Sequence, residues 1–407
     1  MNNIEIQELK RDALNLLGEK QADQVLTMNS LQLEKLKVRI HNIKQKKFLS
    51  HIEKRNEEIA RKKEQGTAVE ITKIIPDREV LPLHKVKIEQ SEKSVKLKEV
   101  NGLLQPPKIS ITGKPRILLV SDVKDWAWWI KSEYLKEYLS DEFEIDITNA
   151  LGNRSKRVDP MDYDIFFTYG FSFISFYDYV PKKKKVTGVT AHRRQGVIVS
   201  AMKKAGWIHA NSKMLQKELR SWGFKNVFYL PNGVDENLFK PKTKIPLEEG
   251  QVTVGHVGKK AVNKGQEEYI LPSIKISKAK SFLHFNDYTN SIPHKEMPAV
   301  YQNFDFYICS SYEDGTPNPA LEAAACGRPI LTNRIGNMPE FVVDGHNGFL
   351  VDRDIQQYVD KIRWFRTYPE RLVQMGQNAR KTVLEGWTWK IQSENYRKMF
   401  REILKGK

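Results

Sequence analysis

The chain has 407 residues, 40% hydrophobic and 10% aromatic, too apolar for a disordered protein and too long for one ordinary core. No apolar run approaches the ~20 residues of a membrane span, and the N-terminal stretch is mixed and charged, which argues against an integral membrane protein and a secretory leader and sets the expectation of a cytoplasmic protein. The net charge of +17 favours polyanionic partners (nucleic acid, anionic lipid headgroups or phosphate-bearing substrates) against the plainer reading of a solvated lysine-rich surface.

Residues 1–114 read as an N-terminal appendage. Helical spacing is visible in IQELKRDALNLL and LQLEKLKVRIHNI, followed by a highly charged stretch and then short β-like runs between prolines. At Pro115 the texture changes. RILLVSD is an apolar run of the buried parallel-strand type, followed by the helical WIKSEYLKEYL. FEIDITNA, DIFFTYG, KKVTGVTA, GWIHANS and NVFYLPNGV continue the alternation, and a second series starts near Gln251 with VTVGHVG, SFLHFND, DFYICSS, RPILTN and GFLVD. The pattern predicts an α/β chain of two tandem Rossmann-like domains, 115–245 and 246–407, with the last helix a candidate to return to the first domain. Cys309 and Cys326 fall in apolar surroundings and read as buried thiols.

The stretch DGTPNPALEAAACG supplies the chemistry. Asp314 and Glu322 flank a loop that leaves a strand and enters a helix of strong formers. A helix N-terminus at the cleft suits a phosphate or diphosphate, Gly315 permits close backbone approach, and Pro317 and Pro319 stiffen the loop. Glu322 is placed to accept from a ribose diol and Asp314 from the hydroxyls of a second sugar. Together they describe a nucleotide-sugar pocket.

In that setting Asp314-x7-Glu322 resembles the E-x7-E signature of glycosyltransferase family 4, retaining enzymes of the GT-B fold. GHVGKKAVNKGQEEY resembles the family's G-R-x4-K-G segment, TNRIGNMPEFVVDGHNGFLV its T-x2-G-G-x-P-E segment, and ANSKMLQKELRSWGF with VFYLPNGVDENLF the end of its N-terminal domain. The resemblance covers roughly residues 115–400 and implies sugar transfer from a nucleoside diphosphate, with UDP-glucose the default donor. It also implies no metal and no cofactor, with cationic side chains meeting the leaving diphosphate. The residues it marks as catalytic are Lys259, Lys264, His192 and Asp314. The donor set is Glu322 with Gly258, Gly315, Thr316, Pro317, Asn318, Pro319 and Leu321. Four departures stand out: Asp314 replaces Glu, Lys259 replaces a bidentate Arg with a point charge, Asn337 replaces a glycine, and SDVKDWAWW lacks the usual glycine-rich turn.

The acceptor side is read from charge and aromatics. Arg154, Lys156, Arg157, Lys183, Lys184, Arg193 and Arg194 are the polyanion candidates, and Trp128 and Trp129 form either a platform, a membrane-touching edge or a packing face. Asp162 with Asp164, and Asp352 with Asp354, mimic a metal-binding D-x-D but read as strand flanks. GKKAVNKG lacks the G-x4-G-K-[ST] of an NTPase loop. The sharpest acceptor is modified-base DNA. The alternatives are a wall polymer or lipid-linked acceptor at an anionic membrane surface, or an inactive GT-B module that only binds polyanions. A cytoplasmic protein peripheral on nucleic acid or membrane is expected.

Overall fold

The computed structural model describes residues 112–149, 158–190, 196–241, 250–285 and 292–406. The appendage read over 1–114 lies outside the described residues except for 112–114, as do Arg154, Lys156, Arg157, His192, Arg193 and Arg194.

The first apolar series forms β1 (Arg116–Ser121), α1 (Ala127–Leu139), β2 (Glu144–Asn149), β3 (Ile165–Thr168), β4 (Lys185–Val189), α2 (Gly196–Met202), β5 (Trp207–Ala210), α3 (Lys213–Ser221) and β6 (Val227–Tyr229). Every pairing is parallel, in the order β2-β1-β3-β4-β5-β6. β1 is buried along its whole length because it is covered on both faces: Leu118 and Val120 enter one core, Ile117 and Leu119 the other.

The second series forms β7 (Thr253–Gly258), α4 (Leu271–Ser277), β8 (Lys280–Phe285), α5 (Met297–Tyr301), β9 (Phe306–Cys309), α6 (Asn318–Ala325), β10 (Ile330–Asn333), α7 (Met338–Phe341), β11 (Gly348–Val351), α8 (Ile355–Thr367), α9 (Pro369–Gly386) and α10 (Trp389–Lys405). Its sheet is also parallel, in the order β11-β10-β9-β7-β8. The chain crosses over between β8 and β9, so the loops after β7 and β9 diverge and leave a crevice at the C-terminal edge.

The chain passes between the domains at two adjacent points. The amide of Val234 donates to Trp387 O at 2.9 Å and that of Trp389 to Val234 O at 3.2 Å. α10 then packs on the first domain, with Tyr396, Met399, Phe400 and Ile403 in the same core as Ile117, Leu119 and Phe167. At about 1.5–3 kcal/mol for each fully buried large side chain, these contacts anchor the last helix firmly. Arg397 adds ion pairs to Asp141 at 3.0 Å and Glu142 at 2.8 Å.

Candidate active site

The β7/β9 crevice brings together the two charges that the sequence separates by 50 positions. Lys264 ends the turn Val262–Lys264 after β7, and its Nζ donates to Asp314 Oδ2 at 2.5 Å. Burial pulls the Lys264 ammonium down, but the charge and hydrogen bond of Asp314 outweigh it and leave the lysine above its ordinary value. Gly265 follows in the left-handed region at φ +64°, and a Cβ there would lie 2.7 Å from the carbonyl of Ser310. The turn is thus pressed onto the end of β9, and Ser310 Oγ donates to Lys264 O at 2.9 Å.

A buried amide fixes this turn. Gln266 Nε2 donates to Lys259 O at 3.0 Å and to His256 Nε2 at 2.9 Å, while its Oε1 accepts from Ala261 N at 3.2 Å. His256 in turn faces Ile308 O through Nδ1 at 2.9 Å. Burial holds His256 at about 4, so it is neutral and its tautomer is set by these two bonds. Lys259 itself is exposed just beyond Gly258, where β7 ends.

α6 begins after Pro317, and no side chain caps it, which leaves the positive end of its dipole at the cleft edge. Asn318, its first residue, accepts through Oδ1 from Asn232 Nδ2 at 2.7 Å. Glu322, one turn in, is held by protein groups: Oε2 accepts from the Tyr301 hydroxyl, and Oε1 lies 3.7 Å from His294 Nε2. Burial, then the Glu322 charge, pushes the Tyr301 phenol well up, so it stays a donor to that carboxylate. A ribose diol at Glu322 would share the carboxylate with Tyr301.

The Asp314–Pro317 loop also forms the contact between the domains. A Cβ on Gly315 would lie 2.0 Å from Asn211 Oδ1 and 2.6 Å from Thr190 O, both in the first domain. The close approach that demands glycine is therefore to the protein's own opposite wall. Thr316 Oγ1 donates to Asn211 O at 3.2 Å, and Asn337 N donates to Gly315 O at 2.9 Å. Glu340 completes the contact, accepting from Lys213 N at 2.6 Å and from the Tyr229 hydroxyl.

Several sequence-derived candidates sit elsewhere. Lys183 and Lys184 precede β4, at the N-terminal edge of the first sheet and away from the cleft, and Lys184 Nζ is occupied by Tyr163 O at 2.8 Å. They do not line an acceptor side, because residues entering a parallel strand lie at the opposite edge from those leaving it. Trp128 is a packing residue, with Tyr169 and Phe173 at centroid distances of 5.9 and 6.1 Å, while Trp129 Nε1 donates to Glu133 at 2.8 Å. The Leu321 side chain is buried in the core beneath α6, so only its backbone is available to a ligand. Asp164 accepts from Arg116 N at 2.8 Å, Asp354 caps α8 by accepting from Gln357 N at 2.9 Å, and Asp352 accepts from Gln357 Nε2 at 3.3 Å. Both cysteines are buried free thiols. No helix among the described residues is long and apolar enough to cross a membrane. A pocket of about 470 Å³ also opens at the ends of β10 and β11, among Tyr312, Asn333, Arg334 and Arg353, and contains none of the donor candidates.

Paired parallel α/β domains, joined across a crevice that carries a cation–carboxylate pair beside an uncapped helix, have the GT-B architecture. Residues 261–382, which hold Lys264, Asp314 and Glu322, match the family model of glycosyl transferases group 1. The chain is 30% identical over 128 residues to a GDP-mannose-dependent alpha-(1-6)-phosphatidylinositol monomannoside mannosyltransferase of Mycolicibacterium smegmatis, covering 30% of this chain and 32% of the relative. It spans about three tenths of the length of the curated relatives it matches. Sucrose-phosphate synthase of Thermosynechococcus elongatus shares the fold at a TM-score of 0.61 and 16% identity, over 72% of this chain and 100% of that one. HepE of Anabaena, solved in complex with UDP and glucose, does so at 0.57 and 14% identity, over 70% of this chain and 99% of that one.

Proposed function

We propose that the protein is a retaining glycosyltransferase, resembling family 4, that moves a hexosyl unit from a nucleoside-diphosphate sugar to an acceptor hydroxyl. The observation that carries this reading is the Lys264–Asp314 pair beside the uncapped N-terminus of α6. Lys264 and the α6 N–H groups meet the diphosphate and stabilise its charge as the anomeric bond breaks, without a metal ion. Asp314 orients sugar hydroxyls, Glu322 and Tyr301 receive the ribose, and Lys259 supports the diphosphate from the turn above. The family resemblance assigns His192 a role beside the donor sugar. UDP-glucose is the default donor, supported by the UDP and glucose bound to HepE, and the mycobacterial relative makes GDP-mannose the second donor to test.

For the acceptor, a polyanion such as modified-base DNA is the reading that the charge of +17 supports. With Lys183 and Lys184 at the far edge, it rests on Arg154, Lys156, Arg157, Arg193 and Arg194. A lipid-linked or wall-polymer acceptor at the membrane surface is the second reading, favoured by the phosphatidylinositol-based acceptor of the mycobacterial relative. Both place the protein in the cytoplasm, peripheral on its acceptor. Release of nucleotide from UDP-glucose or GDP-mannose, with and without duplex DNA or anionic vesicles, tests the proposal. Stimulation by one acceptor supports the matching reading. Binding to DNA without any turnover would instead mark an inactive polyanion-binding module.

A further inference from the structure

Lys131 has no role in the donor site described above. It lies on α1, is 5% exposed, and donates through Nζ to Asn232 Oδ1 at 2.7 Å. Its other close neighbours are ring faces, Tyr169 at 5.0 Å and Tyr396 at 5.2 Å. No carboxylate accepts from it among the described residues.

The titratable groups packed around it are uncharged. Tyr169 shares a hydrogen bond of 2.8 Å with Ser132, and Tyr396 on α10 donates to Leu230 O at 3.3 Å. His209 on β5 faces Thr168 O at 3.2 Å, and burial followed by the Lys131 charge holds it at about 3. Burial alone therefore acts on Lys131 and brings it down to about 7. An ammonium left this dry and unpaired is costly in the free protein.

The hydrogen bonds lead from Lys131 to the donor helix. Asn232 accepts from Lys131 through Oδ1 and donates through Nδ2 to Asn318 Oδ1, also at 2.7 Å, and Asn318 opens α6. The lysine thus stands two hydrogen bonds behind the helix end that is proposed to receive the diphosphate. A neutral amine would hold Asn232 equally well, so only an anion at α6 gives the charge a function.

We propose that Lys131 is a positioning residue for the donor whose ammonium is kept charged by the bound diphosphate, so that donor and proton bind together. The inference rests on the donor reading above. Its sign follows from linkage: affinity is full below the free lysine's value and falls as pH rises towards the higher value in the complex. The diphosphate of a nucleotide sugar has no ionisation of its own in this window, and the uracil or guanine N–H titrates only at its upper end, where the Lys131→Met control subtracts it.

The test is calorimetric titration of UDP-glucose and GDP-mannose between pH 6 and pH 9, in buffers of differing ionisation enthalpy. The wild type should lose about tenfold in affinity across the range and take up about half a proton near pH 7.5. Lys131→Met should bind weakly at every pH with no uptake. Asn232→Asp, which pairs the lysine in the free protein, should also abolish uptake, and it decides the question if Lys131→Met does not fold. Equal uptake in the wild type and these variants overturns the inference while leaving the donor site standing. Failure of the wild type to bind either nucleotide sugar overturns the donor reading, and this inference with it.

Discussion

Gly315→Ala tests the double use of the donor loop. The new Cβ would lie 2.0 Å from Asn211 Oδ1 and 2.6 Å from Thr190 O. Asn211 can swing aside cheaply because its Oδ1 has no hydrogen-bond partner. Thr190 O is backbone at the end of β4 and cannot, so the loop or the whole domain must retreat by roughly 1 Å, a displacement that costs about 10² in rate when reacting groups are misplaced. Overpacking of this kind also costs about 1–3 kcal/mol, a few degrees of melting temperature in a domain this large. Steady-state donor hydrolysis or transfer, with thermal unfolding on the same preparations, reads both effects. A variant with kcat/KM within twofold of wild type and an unchanged melting temperature would show that the contact between Gly315 and the first domain is not part of the working enzyme.

Lys264→Ala should lower turnover by about 10²–10³, as expected for one preorganised charge-stabilising donor, measured as nucleotide release at saturating donor. Glu322→Ala should raise the donor KM with a smaller change in kcat, and Tyr301→Phe should move KM in the same direction by less; a collapsed kcat at unchanged KM would shift Glu322 into the chemistry. Charge reversal at Lys183 and Lys184 should leave activity and the salt dependence of any DNA binding unchanged, since both lie at the edge remote from the cleft; a flattened salt slope would contradict that placement. Because Lys131 is lowered to about 7, the ligand-free protein should gain stability as pH rises from 7 towards 10, by up to about 1.4 kcal/mol per pH unit, and Lys131→Met should lose that gain in denaturant titrations across the range.

The strands and the donor loop were legible because parallel strands buried on both faces, such as RILLVS and FYIC, leave uninterrupted apolar runs, and because Asp314 and Glu322 stand close together in sequence. What stayed hidden depends on contacts between distant segments. Gln266 and His256 lock the Lys264 turn, and the local signal for this is a histidine inside the apolar run VTVGHVG, which needs a buried partner. Asn211, Asn232 and Tyr301 reach the site from other elements, and no local period marks them. Lys183 and Lys184 lie at the edge away from the cleft, which charge density in sequence does not reveal, because it does not say which edge of a sheet a loop occupies. Trp128 was ambiguous for the same reason: its packing against Tyr169 and Phe173 is set by β3 and the segment that follows it.

The most direct test of the central claim is calorimetric binding of UDP-glucose and GDP-mannose in the presence of EDTA, comparing wild type with Lys264→Ala. A metal-free diphosphate site between Lys264 and the start of α6 predicts that the wild type binds at least one of them in chelator and that the variant binds it at least tenfold more weakly. Binding that requires added Mg²⁺ or Mn²⁺, or that is the same in both proteins, would contradict the account.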